Sequence, residues 1–553
     1  MTVTESPRRS QGLSWTADGR VVPSARRRLV PAIVGSDRLL GWVATLGVTA
    51  LGGFIRFWKL GDAHKFLFDE TYYAKDAWSL INHGYVLNYV DGADKKILAG
   101  QLTGLTKDTP SMVVHPETGK WLIGLGEHFF GMDPFGWRVA SAIAGSLMVL
   151  VLIRLVRRMT GSTLLGCAAG LLLCFDGLQF VLSRMALLDI FMATFVLAAV
   201  SCLVADRDWG RMRLARLVDP DQPLVASGWG PVRGLRFRPW RLAAGLMFGL
   251  AISTKWTALA PLAVFGLWVV FQDAGARRML GIRWAWLKAA VVDGIPAFFY
   301  LVVVASVVYL ASWSGWLVHA HEYDKTLSNS GYGAYWGDYT KNDPKGFEEH
   351  LTQGLRSLYH YHGAVWNFHT HGLDDKTHFY QSTPEGWPLI NRPVGVDAVL
   401  DIEPGQQGCE AKEGSTCLRQ IVLLGTPVLW WGGVLALLYA LYGWAARRDW
   451  RYGVAVLGFT SNWLVWIPSS DRPIFYYYAV AMIPFTILAI TLVMGRLIGG
   501  PRASYNRRAW GTAVSGAFVV LVVANFAWFY PVYTDQLLTY REWLDRIWFR
   551  RWI

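Results

Sequence analysis

The sequence predicts an all-α polytopic membrane protein with about eleven transmembrane helices and two large loops outside the membrane. Three observations support this class. Of the 553 residues, 53% are hydrophobic and only 17% are charged, against about 25% charged residues in an ordinary soluble domain. Apolar runs long enough to cross a bilayer, roughly 20 residues, recur along the chain. Arginines gather in particular short segments between these runs.

The apolar runs define the predicted spans in order. The first is LLGWVATLGVTALGGFIRFW, residues 39–58. The run at 242–271 is too long for one span and is interrupted by STKW at 253–256, so we expect two shorter helices that turn at the membrane surface. The remaining runs cover residues 137–156, 163–183, 186–205, 287–312, 421–443, 452–467, 473–495 and 510–530.

The arginine clusters predict the orientation of the chain in the membrane. The formal net charge is +13, and the basic residues are concentrated in the N-terminal arm 1–38, in the segment after 205, and in smaller clusters at 157–158, 277–278, 447–451 and 502–508. Threading eleven helices from a cytoplasmic N terminus places every cluster in the cytoplasm, as the positive-inside rule requires. We therefore expect a multi-pass protein of the cell membrane and no nucleic-acid partner. The first 38 residues lack the apolar core of a cleavable signal peptide.

Two long segments, 59–136 and 313–420, are then extracytoplasmic, and residues 531–553 form an interfacial C-terminal tail. Cys409 and Cys417 lie in the second loop, in CEAKEGSTC, where an oxidising compartment permits a short disulfide. Two free thiols in a flexible loop are the alternative. The sequence shows no internal repeat, so a transporter built from inverted repeats gains no support.

Two adjacent acids, Asp69 and Glu70, follow the first span within KFLFDETYYAKDAW, residues 65–78. A carboxylate beside apolar side chains loses hydration, which raises its pKa and suits it to accept a proton from a hydroxyl group. The TYYAKDAW stretch has helical spacing, so Asp69 is equally suited to cap the N terminus of a helix. The residues alone leave both interpretations open.

Further motifs follow these acids in a defined order: HPETGKW (115–121), GWRVASAIAG (136–145), LSRMALLDIF (182–191), STKWTAL (253–259) and DRPIFYYYAVAMIPF (471–485). Together with FDETYYAKD, this order resembles the GT-C class of lipid-phosphate-sugar glycosyltransferases. Within that class it is similar to the bacterial, actinobacterial-type protein O-mannosyltransferases. The resemblance extends over about 39–530 and implies that these residues form a GT-C transmembrane catalytic domain. The β-trefoil MIR domain of eukaryotic members has no counterpart in the loop 313–420.

The resemblance implies an inverting transfer of mannose from polyprenyl-phosphate-mannose to serine or threonine hydroxyls of exported proteins. It makes Asp69 the candidate catalytic base, with Glu70 and His115 binding the acceptor or supporting Asp69. The departing lipid phosphate needs cations, because arginine forks and lysine ammonium groups stabilise phosphate charge. The candidates are Lys255, Arg472, Arg184 and Arg138. Snorkelling at the interface, or a structural pair such as Arg184 with Asp189, is the alternative for each cation.

No metal or other cofactor is expected, since the family needs none and the histidines of the second loop lack the spacing of a closed zinc site. The implied partners are polyprenyl-phosphate-mannose, Ser/Thr-rich exported proteins, membrane lipid and the secretion translocon. The runner-up function is a GT-C transferase that acts on a glycolipid or a cell-wall glycan. A transporter would place its acids near the bilayer midplane, whereas Asp69 and Glu70 lie beyond the end of a span.

Overall fold

A computed structural model describes residues 29–30, 38–218, 227–232, 235–328, 336–373, 376–469, 471–500 and 502–553. The basic arm predicted for residues 1–38 therefore lies outside the described residues, apart from positions 29, 30 and 38.

The described residues form a mostly helical protein with five short strands. In chain order, the helices are α1 (Arg38–Phe57), α2 (Glu70–His83), α3 (Ala93–Leu98), α4 (Thr118–Phe130), α5 (Pro134–Thr160), α6 (Thr163–Cys174), α7 (Gly177–Leu182), α8 (Leu188–Leu217), α9 (Pro239–Ile252), α10 (Trp256–Met279), α11 (Ala285–Ser312), α12 (Ser314–Val318), α13 (Ala320–Leu327), α14 (Gly346–Thr370), α15 (Pro427–Ala445), α16 (Trp450–Trp463), α17 (Tyr476–Ile498), α18 (Tyr505–Tyr533) and α19 (Tyr540–Leu544). The strands are β1 (Leu87–Tyr89), β2 (Thr106–Pro110), β3 (Val394–Ile402), β4 (Cys417–Leu423) and β5 (Leu538–Thr539).

Most predicted apolar runs coincide with one helix, although the run 163–183 is divided between α6 and α7. Within the described ranges, eight helices are long and apolar enough to cross a membrane: α1, α5, α8, α10, α11, α15, α17 and α18. The apolar helices α6 and α9 are shorter, and the break between α9 and α10 falls at the predicted STKW turn. The run predicted at 421–443 begins too early, because residues 421–423 end strand β4 and Pro427 opens the helix. The number of membrane crossings stays a prediction.

Local signals explain where the helices start. Asp133 accepts a hydrogen bond from the backbone N–H of Gly136, and Pro134 occupies the first turn of α5, where its missing N–H is not needed. Ser162 caps α6 in the same way. Because each cap fixes where its helix begins, α5 and α6 follow the preceding helices after connections of only a few residues.

Helices α8 and α17 form the centre of the bundle. In their most apolar stretches 78% and 83% of the residues are buried, against 17% in α1 and 22% in α11. The apolar side chains of α1 and α11 remain exposed on the outside of the bundle, where a bilayer would solvate them.

The arginines of the described clusters meet at one end of the bundle, which we call the basic face. Here Asp206 in the C-terminal half of α8 accepts hydrogen bonds from Arg238 (2.7 Å) and Arg241 (2.9 Å) near the start of α9. Arg241 also pairs with Asp273 of α10 at 2.7 Å. Buried cations are tolerated here because each has a carboxylate partner. The positive charge predicted for one side of the membrane is therefore gathered on one face of the molecule.

The opposite end, which we call the loop face, carries residues 58–133, 313–328, 336–373, 376–426 and 534–553. Its strands were not expected for an all-α chain. Strands β1 and β2 pair antiparallel, and β3, β4 and β5 form a second antiparallel sheet. Cys409 and Cys417 are joined by a disulfide that closes the connection between β3 and β4, with 5.8 Å between their Cα atoms.

The C-terminal residues 531–553, predicted as an interfacial tail, are built into this second sheet. Strand β5 pairs with β4, and the indole of Trp543 donates a hydrogen bond to Gln420 at 2.7 Å. The indole of Trp552 donates to the carbonyl of Ile390 at 2.8 Å and is buried. The sheet therefore joins the second loop to the end of the described chain.

Candidate active site

Asp69 lies on the loop face, between the end of α1 and the start of α2. Phe68, immediately before it, adopts a left-handed backbone conformation with φ 49°. Such a conformation costs on the order of 1–3 kcal/mol in a residue other than glycine, so the surrounding structure must hold it in place. The rings of Phe475 and Tyr477 meet Phe68 edge to face, with centroids 5.8 and 5.9 Å away. This packing fixes the direction in which Asp69 projects.

The carboxylate of Asp69 does not cap α2. The residue occupies the N-cap position, but its side chain makes no capping hydrogen bond. Its Oδ2 accepts a long hydrogen bond of 3.5 Å from the Tyr477 hydroxyl. The pKa of Asp69 is raised to about 6, chiefly by burial; the charge of Lys255 and the Tyr477 hydrogen bond oppose this rise, and the charge of Asp189 adds to it. The group is thus a stronger base than an ordinary aspartate and is free to accept a proton.

Lys255 and Asp189 form an ion pair beside Asp69. The Nζ of Lys255 lies 2.8 Å from the Oδ2 of Asp189, and both side chains are buried. The ammonium also lies 4.9 Å from the ring centroid of Tyr478. The Arg184–Asp189 pair suggested from the sequence is therefore wrong, because Asp189 in the first turn of α8 meets the break between α9 and α10 instead. The other oxygen of Asp189, Oδ1, is buried without a partner.

Arg472 reaches the same site from the segment before α17. Its Nη1 donates to Nδ1 of His369 at 2.9 Å and to the His369 carbonyl at 3.3 Å. Because arginine only donates, Nδ1 is the acceptor and the ring proton of His369 is on Nε2. The ring of His115 stacks on His369 with 5.5 Å between centroids.

Both histidines are neutral near pH 7. Burial, and then Arg472, lower the pKa of His369 to about 4. The pKa of His115 is lowered well below its ordinary value by burial and by the nearby charge of Lys255. Among the described residues, no group of three or more His, Cys, Asp or Glu side chains is arranged to hold a metal ion.

Glu70 has a different environment from Asp69. Arg138 grips its carboxylate with two hydrogen bonds of 2.8 Å, and three further donors are the indole of Trp137 and the backbone N–H groups of Leu67 and Ala186. Glu70 is fully buried, and both of its carboxylate oxygens are occupied by these donors. Arg138 therefore forms a structural ion pair, which was the alternative to a phosphate-binding role for this residue. A supporting role for Glu70 stays a prediction, and the pair fixes the backbone on which Asp69 sits.

Arg184 also lies apart from Asp69. Its guanidinium donates to backbone carbonyls at the end of α1, those of Arg56 (2.9 Å), Trp58 (2.6 Å) and Lys59 (3.0 Å). The structure thus gathers Asp69, Asp189, Lys255, Arg472 and His115 around one site and places Glu70, Arg138 and Arg184 outside it.

Three side chains of the site were not singled out from the sequence: Tyr477, Tyr478 and His369. The two tyrosines belong to a motif that the sequence did show, DRPIFYYYAVAMIPF. His369 belongs to HTH at 369–371, among the histidines of the second loop whose spacing argues against a closed zinc site. Its contact with Arg472 depends on how α14 packs beside α17, which no local spacing reveals.

Lys65 anchors the segment just before Asp69. Its ammonium pairs with Asp397 of β3, and it lies 3.8 Å from Asp535 after α18. The loop that carries Asp69 is thereby tied to the second loop and to the C-terminal segment.

Comparison with known proteins identifies the chain. The family model described as dolichyl-phosphate-mannose-protein mannosyltransferase matches residues 47–218, and the C-terminal four-transmembrane region of protein-O-mannosyltransferase matches residues 355–552. The polyprenol-phosphate-mannose–protein mannosyltransferase of Mycobacterium tuberculosis strain H37Rv is 36% identical over 93% of this chain and 92% of its own. The chain belongs to the protein mannosyltransferase family. The family resemblance predicted from the motifs is therefore confirmed.

Other members of the protein mannosyltransferase family agree along nearly the whole length. The polyprenol-phosphate-mannose–protein mannosyltransferase of Mycolicibacterium smegmatis strain ATCC 700084 is 34% identical over 99% of both chains. That of Corynebacterium glutamicum is 31% identical over 88% of both. The donor-bound protein O-mannosyltransferase Pmt1-Pmt2 complex of S. cerevisiae has a TM-score of 0.65 at 15% identity, covering 96% of this chain and 94% of that one. This likeness confirms the predicted GT-C fold.

Proposed function

We propose that this member of the family transfers mannose from polyprenyl-phosphate-mannose to serine or threonine hydroxyls of proteins, with Asp69 as the general base. The observation that carries the proposal is the uncapped, mostly buried carboxylate of Asp69 next to the Lys255–Asp189 pair. The donor and acceptor classes come from the relatives, which are named for polyprenol-phosphate-mannose and for protein acceptors.

The base step follows from the pKa of Asp69. With a pKa of about 6 the group is about nine-tenths ionised at pH 7, yet holds a proton more strongly than an exposed aspartate does. Asp69 takes the hydroxyl proton as the acceptor oxygen attacks the anomeric carbon. The bond between that carbon and the phosphate oxygen breaks, and its electron pair leaves with the lipid phosphate. Attack opposite the leaving group inverts the anomeric carbon.

The leaving phosphate gains negative charge, and two cations of the site are placed to stabilise it. The pairing with Asp189 holds the Lys255 ammonium in one position. Arg472 is oriented by His369 through Nη1, and its other guanidinium nitrogens donate to no residue that the structure describes, so they can meet a phosphate. His115 and His369 are neutral, so they add polar contacts without repelling these cations. Fixed charges of this kind stabilise the transition state without reorganising.

We further propose that the loop face lies outside the cell membrane and the N terminus in the cytoplasm. The arginine clusters on the basic face support this orientation through the positive-inside rule. Acceptors would then be exported proteins, which emerge on the loop face as unfolded chains. The secretion translocon is accordingly a proposed transient partner.

The test compares wild-type chain with Asp69→Asn in membranes supplied with radiolabelled polyprenyl-phosphate-mannose and a threonine-rich peptide. Asparagine keeps the volume and removes the basicity, so transfer should fall by about 100- to 10,000-fold. Asp108→Asn, which changes an exposed acid of the same loop, is the matched control and should transfer normally. Near-normal transfer by Asp69→Asn would contradict the base assignment. Label that enters a glycolipid in place of the peptide would contradict the acceptor class.

A further inference from the structure

A cavity opens on the loop face, and Asp69 is not among the residues that line it. Its volume is about 340 Å³. The walls are the segment that follows α1, the turn after α7, strand β4 and the segment that follows α18. Asp69, Lys255 and Arg472 do not line it. The cavity therefore needs an explanation other than the proposed transfer reaction.

Two arginines in its wall, Arg184 and Arg419, have no acidic partner within ion-pair distance among the residues that the structure describes. Arg184 donates only to carbonyls at the C-terminal end of α1, which offset part of its charge. The Nε of Arg419 is buried without a hydrogen-bond partner. A buried donor of this kind is costly unless something accepts its hydrogen bond.

The acids in the same wall are already engaged by other cations. Asp62 lies 3.5 Å from Lys59, and Asp535 lies 3.8 Å from Lys65. Arg138, the third arginine of the wall, is neutralised by Glu70. Neither arginine forms an ion pair with these acids, so Asp62 offsets the charge of Arg184, and Asp535 that of Arg419, only from a distance. An anion is therefore a ligand that this wall suits.

The position of the cavity indicates which anion. It lies where the apolar helices α1 and α18 end, at Phe57 and Tyr533. Trp58, which is 53% exposed, and Tyr530 line it, and such aromatic side chains mark the headgroup level of a bilayer. The anion present at that level in every membrane is a lipid phosphate.

We infer that this cavity binds the phosphate headgroup of a membrane lipid between Arg184 and Arg419, as a site separate from the one at Asp69. Arginine forks donate paired hydrogen bonds to phosphate oxygens, and the unpartnered Nε of Arg419 supplies one of these donors. The lipid is either a diacyl phospholipid or polyprenyl phosphate, since both present the same phosphate chemistry.

The experiment measures binding of phosphatidylglycerol to the purified full-length protein in detergent. Arg419→Gln should weaken binding by at least about tenfold, because a guanidinium–phosphate contact is lost. Gln536→Trp, at an exposed position of the wall, should weaken binding to a similar degree by filling the entrance without changing a charge. Arg541→Gln, an exposed arginine of α19 that does not line the cavity, is the matched control and should bind normally.

Competition identifies the recognised group and its source. Inorganic phosphate should displace the phospholipid from the wild-type chain, and failure to do so would overturn phosphate recognition. If polyprenyl phosphate displaces the phospholipid, the site is supported and the carrier lipid is its ligand. If the phospholipid stays bound, the site is supported and a diacyl lipid is its ligand. Equal binding by wild type and Gln536→Trp would overturn the inference even if Arg419→Gln does not fold. Displacement by a threonine-rich peptide would overturn it by assigning the cavity to the acceptor.

Discussion

At the scale of single residues, two adjacent carboxylates differ only through their partners. Glu70 is fully buried and accepts five hydrogen bonds, two of them from Arg138. Asp69 accepts one long hydrogen bond, from Tyr477, and its pKa is raised to about 6. A carboxylate that has lost water without gaining donors, as Asp69 has, is a stronger base than an exposed aspartate.

The pKa of Asp69 predicts the pH dependence of transfer. Because the ionised carboxylate is the base, activity should rise with pH along a limb near pH 6 and level off above it. Tyr477→Phe removes the hydroxyl that stabilises the ionised form, so the limb should move to higher pH, by less than about one unit because the bond is long. Initial rates at saturating donor, measured across this pH range, give the position of the limb for the wild-type chain and for Tyr477→Phe. A limb that stays in place or moves to lower pH would count against this account of the site.

Arg138 should matter for stability. Arg138→Met leaves the charge of Glu70 buried and unpaired, and should lower the free energy of unfolding by about 3–5 kcal/mol. Glu70→Gln combined with Arg138→Met removes both charges and should recover part of the loss. Thermal unfolding in detergent measures the effect, with exposed Arg541→Met as the control. An Arg138→Met protein as stable as wild type would show that the pair is not needed to hold this loop.

At the scale of elements, the sequence predicts what is encoded locally and misses what depends on distant packing. Apolar runs predicted the helices, and the STKW interruption predicted the break between α9 and α10. Strands β4 and β5 pair across more than a hundred residues, so no local pattern could reveal them. Asp189 likewise meets Lys255 of a different element rather than the nearby Arg184. The motifs identified Asp69, Lys255 and Arg472, and only packing showed that they share a site.

The disulfide between β3 and β4 gives a prediction at this scale. Replacing Cys409 and Cys417 with serine opens a short loop, and should destabilise the sheet by about 2–3 kcal/mol through chain entropy. The rate of limited proteolysis in residues 394–423 measures this change. Cys167→Ser, in α6, removes a free thiol and serves as control. Identical proteolysis of the double variant and wild type would rule out a structural role for the bridge.

At the scale of the whole molecule, the charges separate the two ends of the bundle. Ion pairs such as Arg241 with Asp273 hold the basic face together, and Asp69 lies on the loop face. The alternation of helices between these faces was predictable from apolar runs and arginines together. The aromatic packing on the loop face was not predictable, because aromatic residues occur both at membrane interfaces and in packed cores.

The proposed orientation can be tested by cysteine labelling in intact cells. Gln406→Cys introduces an exposed thiol on the loop face, and Arg278→Cys introduces one on the basic face. A membrane-impermeant maleimide should modify the first variant and spare the second until the cells are opened. The wild-type chain measures background labelling of its own thiols. The reverse labelling pattern would place the site of Asp69 in the cytoplasm.

The anchoring of Lys65 links the catalytic loop to the order in which the protein is made. Lys65 precedes Asp69 by four residues and pairs with Asp397 and Asp535, which leave the ribosome hundreds of residues later. Four helices, α15 to α18, separate β4 from β5 and must enter the membrane before this sheet can close. Asp69 therefore acquires its final surroundings only after these helices are in place. A partly synthesised chain carries this carboxylate without the residues that position it, so the site at Asp69 can be completed only when the last helices have been made.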